Sequence, residues 1–545
     1  MTSPTKGARF SDLCRTLEAV ASVRGRNEKV RLLSEYLAGL PRDALPIACR
    51  FMAGTGGKTN VGWAAVNDAV REVFDTGPGA IRELYLSHGD LGVLVQELMK
   101  GGKKSVPLQR EELTVPGLQA AFDELAKAGG RGSVERRKKV LVGLLLQCSG
   151  VEAKYLIKIL SGELRTGATE GTVLEALGKA FAVGRVRDWY LILGDVGALA
   201  DRLASGDASE PSPRAFTPVA FMLPLPLPDA RSAMAHFGKP VFGEHKYDGV
   251  RLQAHRFQEG VKLYSRRMED VTASFPEVSS ALSSLRVSAI LDGEVVGFDA
   301  GRHIPFVKLQ QRLHRRDVGK RMMEEVPLRY YVFDLLYLEG RSMLRSPLAE
   351  RRRALEGLDL GGDLRPADRF HVEDEAQAEE RFRRSRKEGY EGLVLKDPGS
   401  GYTPGRRGGL WVKLKEEMDT LDAVIVLAEW GNGKRAGLLS DYTFAIWDGG
   451  DLKPIGKAYS GLTDAEIGEM TLALQKIKVG DVWNGIVVKP AVVLEVAFDS
   501  VQRSARHSSG FALRFPRIKA VRRDKRPEDA DTIEKVRSLY ESTGA

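Results

Sequence analysis

From residue 1 to about 205, apolar side chains recur every three or four positions. Leu13, Leu17 and Val20 share one such face, and Leu32, Leu33, Tyr36 and Leu37 another. This is the period of amphipathic helices. Gly39 and Pro41 stop the second run. Ser149 and Glu152 have capping-box spacing for a helix carrying Tyr155, Leu156, Ile159 and Leu160, with Gly162 to end it. Strand-like alternation is scarce in this region. The stretch Ser205 to Pro213 is small, polar and proline-bearing, which predicts a linker. Beyond it the texture changes. Short β-branched and aromatic runs, Ala289 to Phe298, Tyr330 to Leu338 and Gly392 to Lys396, alternate with helical segments. Ser346-Pro347 predicts a helix N-cap with proline at the first helical position. From about 418 strands dominate: Ala423 to Trp430, Tyr442 to Trp447 and Val492 to Phe498, around one helix opened by Thr463 and Glu466. The expected fold is therefore multidomain. It has an all-α region at 1–205, a linker at 206–216, an α+β domain with antiparallel character at 217–417, and a small β-barrel of the OB type at 418–545.

Composition narrows the class. A chain of 545 residues suffices for roughly three or four domains. With 43% hydrophobic and 28% charged residues it reads as globular, with ample core. A formal net charge of +9 suits a polyanionic partner, nucleic acid first, although a solvated basic surface has the same composition. The three cysteines, Cys14, Cys49 and Cys148, form no Cys-x-x-Cys pair. This argues against a zinc site or disulfide framework and fits a reducing compartment. The N-terminus lacks an apolar signal core, and no segment approaches the ~20 apolar residues of a membrane span. The basic clusters Arg351 to Arg353 and Arg381 to Lys387 read as solvated helix faces, and Arg514 to Arg526 as a candidate binding run.

Candidate chemistry centres on Glu244-His245-Lys246-Tyr247-Asp248-Gly249-Val250-Arg251. A lysine beside a carboxylate and a glycine turn can act as a covalent nucleophile, provided that it loses its proton near neutral pH. Nearby cations, with Lys413, Lys415 and Arg251 as candidates, and a bound metal would lower its pKa. Attack on a nucleotide phosphate also needs carboxylates for Mg²⁺, cationic clamps, and an aromatic face with an acceptor for the base. A second glycine-rich run, Gly54-Thr55-Gly56-Gly57-Lys58-Thr59, lacks the first glycine of a P-loop, since Met52 stands there, and follows no clear strand. It reads as a turn between helices.

Lys246-Tyr247-Asp248-Gly249 resembles motif I of ATP-dependent DNA ligases, and further segments follow that family's order. Ser265-Arg266-Arg267 resembles motif Ia, Leu291-Asp292-Gly293-Glu294 motif III, and Phe333-Asp334-Leu335-Leu336-Tyr337 motif IIIa. Glu391 to Lys396 resembles motif IV, Trp411 to Lys415 motif V, and Arg514 to Lys525 motif VI. Seven ordered matches are far more specific than one. The helical region, centred on Lys154 to Leu174, resembles the DNA-binding domain of the same ligases.

The resemblance implies a DNA-binding domain, an adenylation (nucleotidyltransferase) domain and an OB-fold domain that close around nicked duplex DNA. ATP would be the nucleotide, with Mg²⁺, or Mn²⁺ in its place. Lys246 would carry AMP. Glu244 would accept from the adenine amino group, and Phe333 would stack on the ring. Arg251 and Glu294 would face ribose and phosphate, with Glu294 and Glu391 on the metal. Lys413 and Lys415 would grip the α-phosphate, and Arg266 the nick's 5′-phosphate. Arg522, Asp524 and Lys525 would close over the β,γ-phosphates in the first step only, swinging on a hinge at residues 416 to 421. Ala520 stands where the family often has a basic residue, with Lys519 beside it. Lys158 and Arg165 would add charge toward DNA. The resemblance further implies a monomer; an intracellular place is expected, cytoplasmic or nucleoid-associated with a nuclear one open, and replication, repair and recombination all stand open as roles. No clear sliding-clamp peptide is visible. The rival readings are an RNA ligase or capping enzyme, a nick-binding scaffold without activity, and a P-loop ATPase.

Overall fold

The computed structural model describes residues 8–542 apart from 57, 58, 60, 75, 78, 80, 82–87, 104–110, 131, 300, 301, 305, 314, 316, 317 and 416–418. The chain divides into two compact units, Met1–Lys415 and Glu416–Ala545. The first unit opens with helices, from Phe10–Ser22 to Val196–Ala204. Leu13, Leu17, Val20, Leu33 and Leu37 enter one apolar core, with Leu32 and Tyr36 at its edge. The capping box at Ser149 and Glu152 forms as the spacing predicts, and Gly162 ends that helix in the left-handed conformation. Residues 206–216 carry no helix or strand.

Two sheets follow in the same unit. One has five strands in the order β1 (Leu225–Leu227), β12 (Trp411–Lys415), β11 (Gly392–Lys396), β2 (Val241–His245), β10 (Arg369–Val372). The other is built on β4 (Gly260–Ser265), β3 (Val250–Phe257), β5 (Ala289–Asp299), β7 (Leu328–Leu338) and β8 (Arg341–Ser342), with β6 (Arg302–Ile304) on β5 and β9 (Leu364–Pro366) on β7. Pairing is antiparallel except for β1 with β12 and β7 with β9.

Two expectations need correction here. The helix after Ser346-Pro347 spans Leu348–Glu356, so proline occupies the cap position, not the first helical one. On that helix Arg351 and Arg352 are not solvated; they are 0% and 1% exposed. Arg351 pairs with Asp334 on β7 at 2.7 and 2.9 Å, and Arg352 donates to the carbonyls of Val332 and Ala367. Buried guanidinium groups survive only when so paired, and these two clamp the helix to β7.

The second unit is strand-rich. β13 (Thr420–Trp430) pairs with β14 (Leu439–Asp448), β17 (Gly485–Val488) and β18 (Val493–Ala497), and β14 pairs with β15 (Asp451–Ala458). The helix Asp464–Lys476 opens with the expected capping box at Thr463 and Glu466. β16 (Lys478–Val482), β19 (Ser500–Arg503), β20 (Phe511–Arg514) and β21 (Arg517–Val521) complete the strands. Leu421, Phe444, Ile455, Leu494 and Ile518 share one core, as expected of an OB-type fold. A closing helix, Ile533–Ser542, was not foreseen. Residues 416–418 of the expected hinge lie outside the described residues. No helix among those described is long and apolar enough to cross a membrane.

Candidate active site

Lys246 stands where the chain leaves the five-stranded sheet for the seven-stranded one. β2 ends at His245 and β3 begins at Val250, so Lys246–Gly249 is the crossing. Its backbone is pinned to β11: the Lys246 N–H donates to the Gly392 carbonyl and the Glu391 N–H to the Lys246 carbonyl, both at 2.9 Å. Both nearby glycines are required by space. A Cβ on Gly249 would lie 2.2 Å from the Val295 carbonyl oxygen, and one on Gly392, at φ +145°, 2.2 Å from that of Leu414. Real Cβ contacts are never so short. The glycines let the crossing pass close against β5 and β12.

A pocket of about 470 Å³ opens around the lysine, and Glu244, Lys246, Arg251, Arg266, Glu294, Phe333 and Lys413 all line it. Phe333 reaches it through a β-bulge. Asp292 faces Asp334 but Gly293 faces Val332, so Phe333 is the extra residue on β7. Bulges re-aim a side chain in this way. Its ring meets Trp411 edge-on, with centroids 6.1 Å apart. Glu244 is 2% exposed and accepts from Lys396 Nζ at 2.5 Å through Oε2. Its Oε1 has no hydrogen-bond partner among the described residues, and Arg352 Nη1 is 3.8 Å away. An unsatisfied buried acceptor is costly unless a ligand donates to it.

The electrostatics suit a nucleophile. Burial lowers the Lys246 pKa, Glu294 opposes, and Lys415 and Lys413 lower it further. Glu294 is pushed the other way, also by burial, with Lys246 resisting. The Lys246 ammonium is paired with Glu391, which holds the side chain in place. Across the pocket Lys413 is itself depressed by burial and by Arg407, Lys415 and Arg266. Arg266, Arg267, Arg407 and Lys413 line the pocket and form no ion pair among the described residues. Cations without a counter-ion in a pocket attract anionic oxygens.

Arg251, expected among the cations acting on the lysine, is instead committed to Asp292 (3.0 and 2.7 Å) and the Met222 carbonyl (2.8 Å). It forms a wall of the pocket, packed over Phe221 and Phe333. Lys158 does not face outward. It is 5% exposed, bonded to Asp90 and the Leu164 carbonyl, so the surface charge expected there is absent. Arg165, at φ +50°, stays at the surface with Glu163. Arg522 and Lys525 both bind Asp422 within the second unit, and Arg522 also pairs with Asp524. Lys519 pairs with Glu495. Gly57 and Lys58 lie outside the described residues, but Gly54 follows a helix, Leu45–Met52, which is not P-loop context. Lys396, Asp292 and Tyr402 support the site in ways that no motif role predicts. Lys396 holds Glu244, and Tyr402 donates to Asp292 at 2.8 Å beneath Arg251. Asp292 and Glu294, two apart on a strand, carried a signal in their spacing; Tyr402 carried none.

Comparison with known proteins decides the family. The pattern described as ATP dependent DNA ligase domain matches residues 221–415, DNA ligase N terminus residues 9–178, and ATP dependent DNA ligase C terminal region residues 435–525. A probable DNA ligase of Koribacter versatilis is 36% identical, over 97% of this chain and 96% of its own length. The chain belongs to the ATP-dependent DNA ligase family. A DNA ligase of Methanopyrus kandleri is 35% identical over 98% of this ligase and 99% of its own length. The solved structure Pmar-Lig_Pre covers 94% of the ligase and 99% of its own chain with a TM-score of 0.55; at 17% identity it speaks to the fold alone. The ligase accordingly seals nicks in duplex DNA with ATP.

Proposed function

We propose that Lys246 is the residue that carries AMP, and that Glu244, Phe333, Lys413, Lys415, Arg266, Arg251 and Glu294 form its nucleotide site. One observation carries this reading. The depressed lysine shares a pocket with an unpartnered carboxylate oxygen, an aromatic ring and cations without counter-ions. The Lys246 amine attacks the α-phosphorus, the bond to pyrophosphate breaks, and pyrophosphate leaves with the electron pair. A 5′-phosphate oxygen of the nick then attacks the same phosphorus and lysine departs. Finally the 3′-hydroxyl attacks the 5′-phosphorus and AMP leaves. Lys413, Lys415 and Arg266 stabilise charge on the phosphates, and alignment supplies much of the rate. Glu244 Oε1 takes the adenine amino group while Phe333 stacks on the ring.

Glu294 and Glu391 both act on the Lys246 ammonium. Two carboxylates with phosphate oxygens are the donor set Mg²⁺ prefers, so these residues would hold it. Bound there, Mg²⁺, or Mn²⁺, would neutralise phosphate charge. The proposed domains are 1–205, 217–417 and 418–545, with 206–216 as linker. Arg522 and Lys525 serve the first step on the β,γ-phosphates, with Lys519 beside Ala520 engaged elsewhere. Arg165 is the candidate DNA contact that remains in the helical domain. The ligase works as a monomer within the cell on nicked duplex, through backbone contacts sensitive to salt; a sliding clamp has no support in the chain.

The test is incubation with α-³²P-ATP and Mg²⁺ before a denaturing gel. Label is expected on wild type and absent from Lys246→Ala. Wild type that stays unlabelled, even after pyrophosphate has stripped bound AMP, sinks the reading.

A further inference from the structure

Asp422, on β13 of the second unit, has no part in the chemistry above, yet both cations proposed to grip the β,γ-phosphates end on its carboxylate. Arg522 Nη1 lies 3.0 Å from Oδ1 and 3.3 Å from Oδ2, and Lys525 Nζ 2.6 Å from Oδ2. The backbone of Asp422 is fixed at both ends. Its N–H donates to Asp531 Oδ2 and its carbonyl accepts from the Asp531 N–H, each at 2.8 Å. The carboxylate is thus a rigid point of attachment. Its side chain is 12% exposed, whereas that of Asp524, which takes the other edge of Arg522, is 65% exposed. The less solvated carboxylate is the stronger holder.

We infer that Asp422 is a positioning residue, the resting counter-ion of Arg522 and Lys525, and that it competes with the triphosphate for them. The inference rests on the proposed roles of those two residues. A carboxylate and a polyphosphate cannot both take the same N–H donors. ATP must therefore draw the cations off Asp422, and its apparent affinity is reduced by the fraction of time they are clasped. The same carboxylate recaptures them when pyrophosphate leaves, which assists release. Sealing of a nick already carrying AMP involves no β,γ-phosphates, so the competition is silent in that step.

The experiment measures lysyl-AMP formation against ATP concentration, and separately the sealing of pre-adenylylated nicked DNA, for wild type and Asp422→Asn. The expected result is an ATP KM lowered roughly two- to fivefold, the size of a partly exposed ion-pair effect. Pyrophosphate should bind correspondingly tighter in the reverse reaction, with sealing unchanged. In an Arg522→Gln/Lys525→Met background the substitution should no longer move KM. An ATP KM that is unchanged or raised in a folded variant overturns the inference, as does an effect that persists in that background. Asp422→Ser must give the same sign, and serves if the Asn variant melts early. Failure of wild type to label would count against the lysyl-AMP reading; normal labelling with an unmoved KM would count against Asp422 where Arg522→Gln/Lys525→Met by itself raises the ATP KM, and against the proposed role of those cations where it does not.

Discussion

In the proposed site Glu244 serves folding through one oxygen and nucleotide recognition through the other, and the two can be separated. Replacing it with Gln removes the carboxylate that accompanies Lys396, whose side chain is 2% exposed. Stranding one member of a buried ion pair costs about 3–5 kcal/mol. The lower end, about 3 kcal/mol, is expected here, because the Gln oxygen still accepts and because burial already lowers the Lys396 pKa. Glu244→Gln/Lys396→Met replaces the whole pair by neutral groups and should recover most of that loss. Nucleotide recognition should not recover. Oε1 is the acceptor left without a hydrogen bond. In the single variant the Gln oxygen stays on Lys396 and its NH₂ meets the purine amino group, donor against donor. In the double variant a neutral oxygen replaces a charged one there. ATP KM should therefore rise about tenfold, about 1.4 kcal/mol, in both. The assays are urea denaturation and the concentration dependence of AMP labelling. ATP should be compared with purine riboside triphosphate, which lacks the amino group. Wild type should bind that analogue about tenfold less well than ATP, and the Glu244→Gln penalty should shrink toward nothing with it, as coupled partners require. Two results refute the reasoning: a double variant with wild-type KM for ATP, or an undiminished Gln penalty on the analogue.

Two further outcomes follow from the same geometry. Lysyl-AMP formation should rise with pH as Lys246 loses its proton and level off below the ordinary lysine value, because burial, Lys415 and Lys413 disfavour the ammonium; Lys415→Met should move that rising limb to higher pH and slow labelling several-fold at pH 7, and a limb that stays put or moves lower contradicts the assignment of Lys415. Arg351→Met leaves Asp334 as an unpaired buried carboxylate and should destabilise the ligase by about 3–5 kcal/mol in urea denaturation, whereas a loss below about 1 kcal/mol would show the pair to be solvated.

What was legible in the chain depended on how local the cause was. Capping boxes at Ser149 and Thr463 are written within four residues and formed as read. Lys246 could be singled out because its partners recur as short ordered segments, whereas the space that Gly249 and Gly392 leave free is set by the carbonyls of Val295 and Leu414 on other strands. Register was not local. An even alternation along β7 cannot tell whether Phe333 faces the pocket or the core, since the answer turns on a bulge created by pairing with β5. The arginines at 351 and 352 read as solvent-facing because helix period and charge are all that a sequence offers; only the approach of Asp334 and two carbonyls from other elements makes their burial affordable. Lys158 erred the same way, its partner Asp90 lying on another segment. The common factor is a charged side chain whose counter-charge is distant in sequence. Burial of such a group is decided by the partner, so a lone charge in a pattern predicts solvent by default. Asp422 extends that logic to the cations proposed to grip the phosphates: Arg522 lies a hundred residues along the chain from the carboxylate that holds it, and no local reading of the motif around Arg522 could have found it.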